Sequence, residues 1–148
     1  MQLLLMRHGE AEPYANSDPE RPLHERGRQE VLHRALQLKK GGYVPDKLVA
    51  SPYLRARQTA LIVAEELQLA APSFSEAITP AAEPEEAVAA LRAIYGSVNI
   101  GLAVMHQPVI SRLIYFLTGR EKPMMTSDVA LLEAPVIARG SCRFICTL

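Results

Sequence analysis

Gln2-Leu3-Leu4-Leu5-Met6-Arg7-His8-Gly9-Glu10 decides the fold class. Its first five residues are a short apolar run that Arg7-His8-Gly9 cuts off before a helix could form. The run therefore predicts a buried strand over 2–6. Polar residues then begin abruptly where the strand stops. In an open α/β sheet that is where ligands gather, beyond the carboxyl ends of the strands.

Working outward, residues 9–23 carry Pro13, Asn16, Asp18, Pro19 and Pro22 and read as a loop. From His24 to Lys40 the apolar positions Val31, Leu32, Ala35 and Leu36 make a helical stripe, stopped by Gly41-Gly42. Lys47–Ala50 is a second strand, and Ser51-Pro52 leads into a helix over 54–69 with Leu61, Ile62 and Leu69 on one side. Residues 71–84 form a loop with a short edge strand near Phe74. A third helix runs from Pro84 to Tyr95, with Val88, Leu91 and Ile94 facing the core. Gly101–Met105 is a third main strand, His106-Gln107-Pro108 turns into a helix over 109–117, and strands at 129–133 and 142–147 close the chain. The alternation predicts a single α/β domain over residues 1–148.

Composition narrows the chemistry. Sixteen basic residues balance sixteen acidic ones, which speaks against a general electrostatic grip on nucleic acid or an anionic membrane. The run Leu3–Met6 is too short for a signal peptide core or a membrane span, so a cytoplasmic protein is expected. Twelve of the basic residues are Arg, and although base composition accounts for most of that excess, a planar guanidinium suits phosphate oxygens. Cys142 and Cys146, placed in one strand, would stand about 13 Å apart, too far to bridge. They read as small apolar residues, and two thiols make no zinc site.

Three strand-to-helix junctions carry polar residues with little reason to be in a core. They are Arg7-His8-Gly9-Glu10, the stretch Ser51-Pro52-Tyr53-Leu54-Arg55-Ala56-Arg57-Gln58-Thr59-Ala60, and Met105-His106-Gln107-Pro108. If the three strands are neighbours, two His and at least two Arg converge. Such a cluster suits phosphoryl transfer, in which charge spreads over three oxygens and fixed cations stabilise it. His8 would be the nucleophile, with one ring nitrogen facing phosphorus and the other fixed by a hydrogen bond. A second histidine, His106, would donate to phosphoryl oxygens when its surroundings charge it, and Gly9 would allow close backbone approach. Arg55, unfavourable in a first helical turn, calls for an anion nearby. His24 and His33 have no such company and read as surface residues.

These junction motifs resemble those of the histidine phosphatase superfamily, which includes phosphoglycerate mutases and acid phosphatases. The short length, Arg21-Pro22-Leu23, His106-Gln107-Pro108 and the stretch 123–133 are most similar to the small SixA-type phosphohistidine phosphatases. The resemblance implies a phosphoglycerate mutase-like architecture of three layers, with a mostly parallel central sheet flanked by helices. It implies that His8 is transiently phosphorylated and that Arg7, Arg55 and His106 hold the phosphoryl oxygens. Arg21, Gly9 and Gln107 would line the substrate pocket, with no metal or other cofactor. Two departures stand out: Gln107 replaces a usual Asn, and His24 follows Leu23 where Thr is usual, which removes an N-cap hydroxyl.

The substrate class follows from the leaving group. An alkoxide, whose conjugate acid has a pKa of about 16, needs a proton to leave, whereas imidazole, at about 6.5, does not. Between the second and third motifs only Glu76, Glu83, Glu85 and Glu86 are available, and none sits in a recognisable acid motif. The expectation is a phosphohistidine phosphatase acting on a protein, such as a histidine-containing phosphotransfer domain, in an open pocket walled only by residues 9–23 and 71–84. The alternatives are a small-molecule phosphomonoesterase or mutase on the same scaffold, a non-catalytic phosphate-binding module, and a two-histidine metal hydrolase.

Overall fold

The computed structural model describes all 148 residues. Six strands form one sheet in the order β3-β2-β4-β1-β5-β6. They span Gln2–Arg7 (β1), Lys47–Ala50 (β2), Ser73–Phe74 (β3), Ile100–Met105 (β4), Val129–Glu133 (β5) and Arg143–Thr147 (β6). The pairings β1–β4, β2–β4 and β2–β3 are parallel, while β5 and β6 add an antiparallel edge. The main helices are Glu25–Lys40 (α1), Leu54–Glu66 (α2), Pro84–Tyr95 (α3) and Val109–Thr118 (α4).

Three layers follow from side-chain alternation in the central strands. Leu4 and Met6, with Ala50, Leu102 and Val104, face α1 and α2. Leu3 and Leu5, with Val49, Ala103 and Met105, face α3 and α4. The strand is buried on both sides, which is why β1 reads as continuous apolar sequence rather than alternating. Leu3, Leu4, Leu5 and Met6 have no exposed surface. Full burial of each such side chain is worth roughly 1.5–3 kcal/mol.

Several local expectations are corrected. On α2 the buried residues are Ala56, Thr59, Ala60, Val63 and Ala64, while Leu61 is 51% exposed. Small side chains let α2 lie close to its neighbours, so the larger apolar residue is not the buried one. On α1 Leu32 and Leu36 are also exposed, and Gly27, Val31, Ala35 and Leu38 face inward. α2 ends at Glu66 rather than at 69, and β6 starts after Cys142. His24 is not a lost cap: its Nδ1 accepts the N–H of Arg26 at 3.1 Å, replacing the hydroxyl.

Candidate active site

The three polar junctions come together because β1, β4 and β2 are adjacent and end level. Arg7 pairs with Met105, and Ala50 with Val104. The ladder continues one step further, with the His8 N–H donating to Met105 O and the Ser51 N–H to Val104 O, both at 3.0 Å. His8 and His106 are thereby side by side, with ring centroids 5.0 Å apart. Both are buried, at 6% and 1% exposure.

The His8 ring is fixed in one tautomer. Nδ1 lies 2.6 Å from Gly9 O, a carbonyl that can only accept, so Nδ1 carries the proton and Nε2 is bare. The Arg55 Nε–H donates to that bare nitrogen at 3.3 Å. Burial is the main cause that pushes the His8 pKa down to about 4; the charges of Arg55, Arg7 and Arg21 add to it, against the opposing Gly9 bond. The ring is neutral at pH 7, with the Nε2 lone pair held only by the long bond from Arg55. His106 is held neutral as well. Burial, followed by its neighbours His8, Arg55, Arg7 and Arg21, lowers its pKa to about 2.

Gly9 is placed beside the nucleophile but not as a phosphate donor. Its N–H is taken by Thr59 Oγ1 at 3.1 Å. A Cβ there would come within 2.6 Å of Val31 Cγ2 and 2.9 Å of Gly27 O. The glycine is required for packing against α1, and its carbonyl orients His8.

The 51–60 stretch acts as a bracket. Ser51 Oγ lies 2.7 Å from His106 Nε2. Gln58 Oε1 accepts the Leu23 N–H at 2.7 Å, and Thr59 Oγ1, besides accepting from Gly9, donates to Arg55 O at 2.8 Å. Tyr53 packs edge-on against His106 and lies under the Arg55 guanidinium. Gln58 and Thr59 tie neighbouring segments to α2 and Ser51 ties His106 to the end of β2, roles their positions alone did not reveal.

Arg55 does have its anion, and it is internal. Nη1 donates to Asp18 O at 2.8 Å and Nη2 to Asp18 Oδ2 at 3.2 Å, while Arg21 Nε donates to Asp18 Oδ1 at 3.0 Å. Arg21 Nη1 also reaches Glu12 O at 3.3 Å. For the Asp18 carboxyl, partial burial pushes the pKa up, but hydrogen bonds and charges from Arg55 and Arg21 outweigh it and the net shift is downward. Asp18 was not singled out in the sequence. Glu76 is exposed, and Glu83 pairs with Arg112 at 2.7 Å.

On the other side, Met124 O accepts from Arg7 Nη1 at 2.9 Å and Gln107 Nε2 at 3.3 Å. Ser127, at φ +65°, donates its N–H to both Arg7 O and His8 O. Six buried side-chain polar atoms lack a partner, and four of them belong here: Arg7 Nε, His106 Nδ1, Gln107 Oε1 and Ser127 Oγ. Unpaired buried polar groups are costly, so this concentration marks a place built for a polar ligand. A groove of about 850 Å³ opens beside Arg7 and Gln107 and runs along α4 past Arg112, Tyr115 and Lys122. No three His, Cys, Asp or Glu side chains are grouped to hold a metal ion. No helix is long and apolar enough to cross a membrane. The two cysteines are free thiols, with Cys142 buried.

Comparison with known proteins agrees with this arrangement. Residues 3–78 match the family model described as histidine phosphatase superfamily (branch 1). The phosphohistidine phosphatase SixA of Escherichia coli strain K12 is 32% identical over 97% of this chain and 91% of its own. A SixA homolog of Haemophilus influenzae is 29% identical over 84% of this chain and 81% of its own. The solved structure of the protein histidine phosphatase SixA complexed with tungstate superposes with a TM-score of 0.92. It is 31% identical, and the match covers 100% of this chain and 96% of that one. With the three junction motifs assembled around His8, the chain belongs to the histidine phosphatase superfamily.

Proposed function

We propose that this protein is a phosphohistidine phosphatase that takes the phosphoryl group from a histidine on a partner protein onto His8 and then releases it to water. The observation that carries the choice of substrate is Asp18. It is the carboxylate hydrogen-bonded to Arg55, whose Nε in turn donates to His8, and two arginines keep it ionised. It has no proton to give a leaving group at neutral pH. A phosphate monoester needs that proton, whereas a phosphohistidine whose distal nitrogen is protonated by solvent leaves as neutral imidazole.

In the first step the His8 Nε2 lone pair attacks phosphorus, and the P–N bond of the substrate breaks with its electron pair going to the departing nitrogen. In the second, a water oxygen attacks, the P–Nε2 bond breaks, and inorganic phosphate leaves. Arg7, Arg55 and His106 would bind the equatorial oxygens, whose charge rises in each transition state. Gly9 O holds the His8 proton throughout, so the ring can bear the positive charge of the intermediate. The similar SixA structure is complexed with tungstate, a tetrahedral oxyanion like phosphate, which supports this reading. The groove that begins at Arg7 and Gln107, at the edge of the site, would receive the surface of a folded partner, such as a histidine-containing phosphotransfer domain.

A phosphate-release panel tests the substrate class. It compares a phosphohistidine-bearing phosphotransfer domain with sugar phosphates and phosphoserine, in the presence of chelator. Faster release from the protein phosphohistidine is expected. Faster release from the small esters overturns the assignment. Rapid acid-free quench should trap label on His8.

A further inference from the structure

We infer that Ser51 fixes the tautomer of His106, so that a neutral ring offers an N–H rather than a lone pair to the phosphoryl group. Both residues are buried, Ser51 fully and His106 at 1% exposure. Ser51 Oγ is 2.7 Å from His106 Nε2, leaving Nδ1 as the ring nitrogen without a protein partner.

The direction of the Ser51–His106 bond follows from what else the hydroxyl can do. Ser51 Oγ already accepts the Tyr53 N–H at 3.3 Å. His106 Nε2 is its only other side-chain neighbour in hydrogen-bond range. If Nε2 carried the proton, Ser51 Oγ would accept twice and its own hydrogen would be buried with no acceptor. If Ser51 donates to Nε2, the hydroxyl is satisfied on both counts and the ring proton must sit on Nδ1. This is the arrangement with no stranded proton on the serine.

The consequence is chemical. His106 can either attract or repel an oxyanion without changing its charge. With the proton on Nδ1 it donates to a phosphoryl oxygen. With the proton on Nε2 it presents a lone pair to the same oxygen. Burial and the nearby arginines hold the ring neutral, so ionisation does not rescue the wrong tautomer. Ser51 is thus a positioning residue that acts through His106, two strand ends away from the nucleophile. The inference rests on the phosphoryl-transfer reading of the site but not on which phosphoryl substrate is used.

Nitrogen-15 NMR of the histidine-labelled full chain at neutral pH reads the tautomer directly, with His106 assigned by its loss in His106→Gln. Protonated and bare ring nitrogens resonate far apart. The expected spectrum has Nδ1 protonated and Nε2 bare. A protonated Nε2, or a charged ring, overturns the inference whatever the enzyme's substrate. Ser51→Ala should move the His106 signals toward the other tautomer and lower kcat on the order of 10- to 100-fold, while Ser51→Thr, which keeps the hydroxyl, restores both. If Ser51→Ala is folded by circular dichroism and leaves the signals in place, Ser51 does not set the tautomer. Should that variant not fold, the wild-type spectrum and Ser51→Thr alone decide.

Discussion

His8, Ser51 and His106 stand on a floor made by backbone ladder bonds at the ends of three buried, parallel strands. Asp18 and Arg21 stand on a wall, the exposed 9–23 loop, pinched at its ends by the bridge between Ala11 and Leu23 and held to the rest of the site by the Arg55–Asp18 ion pair and the Leu23–Gln58 hydrogen bond. The floor is positioned by the same burial that stabilises the fold. The wall depends on charges near water, where an ion pair is typically worth about 0–1 kcal/mol. Chemistry that needs fixed geometry sits on the first, and whatever must adapt to a partner sits on the second.

That contrast can be broken or sharpened by substitution. His8→Ala should lower turnover roughly 10⁴-fold or more with the fold intact, since the covalent route is gone. Retention of a tenth of wild-type turnover would put the nucleophile elsewhere. Arg55→Ala removes the donor closest to Nε2 and also the anchor of Asp18; kcat/KM should fall on the order of 100- to 1,000-fold. A loss of only a few-fold would mean that Arg55 serves the wall rather than the floor.

Acid should strain the floor first. His8 and His106 have folded pKa values of about 4 and about 2, below the ordinary value near 6.5. Between those values the unfolded chain binds more protons, so stability is fully present above about pH 6.5 and is lost as the pH falls. Tm should drop roughly 5–10 °C between about pH 7 and pH 5, and His106→Gln should flatten the curve. A flat wild-type curve would show that the histidines are not buried neutral. The smallest effect belongs to the wall. Asp18→Asn keeps the backbone acceptor but frees Arg55 from a competing carboxylate, so inorganic phosphate should inhibit a few-fold more tightly, with kcat within about 3-fold. A kcat loss as large as that of Arg55→Ala would make Asp18 part of the floor.

The floor was legible in the sequence and the wall was not, for physical reasons. Arg7-His8-Gly9, Arg55 and His106 lie at abrupt changes from apolar to polar residues, which mark strand ends. Asp18 meets Arg55 across 37 positions, from within a Pro-rich loop whose path has no periodicity. The bracket formed by Ser51, Gln58 and Thr59 was visible as a motif, but its bonds run to Leu23, Gly9 and His106, and only the assembled sheet brings those near. The inner face of α2 was misread because alanines, not leucines, fill the tight contact.

The central place of β1 has a consequence for synthesis. This strand lies between β4 and β5, with Gln2 opposite both Ile100 and Glu133. A ribosome makes His8 early, but the carbonyl of Met105 and the amide of Ser127 that hold its backbone emerge much later. Pairing so distant in the chain forms late in folding. Until then the imidazole of a nascent chain is solvated and ordinary, so the reactive nucleophile is a property of the completed polypeptide, and an unfinished one carries no site at which phosphate could be captured prematurely.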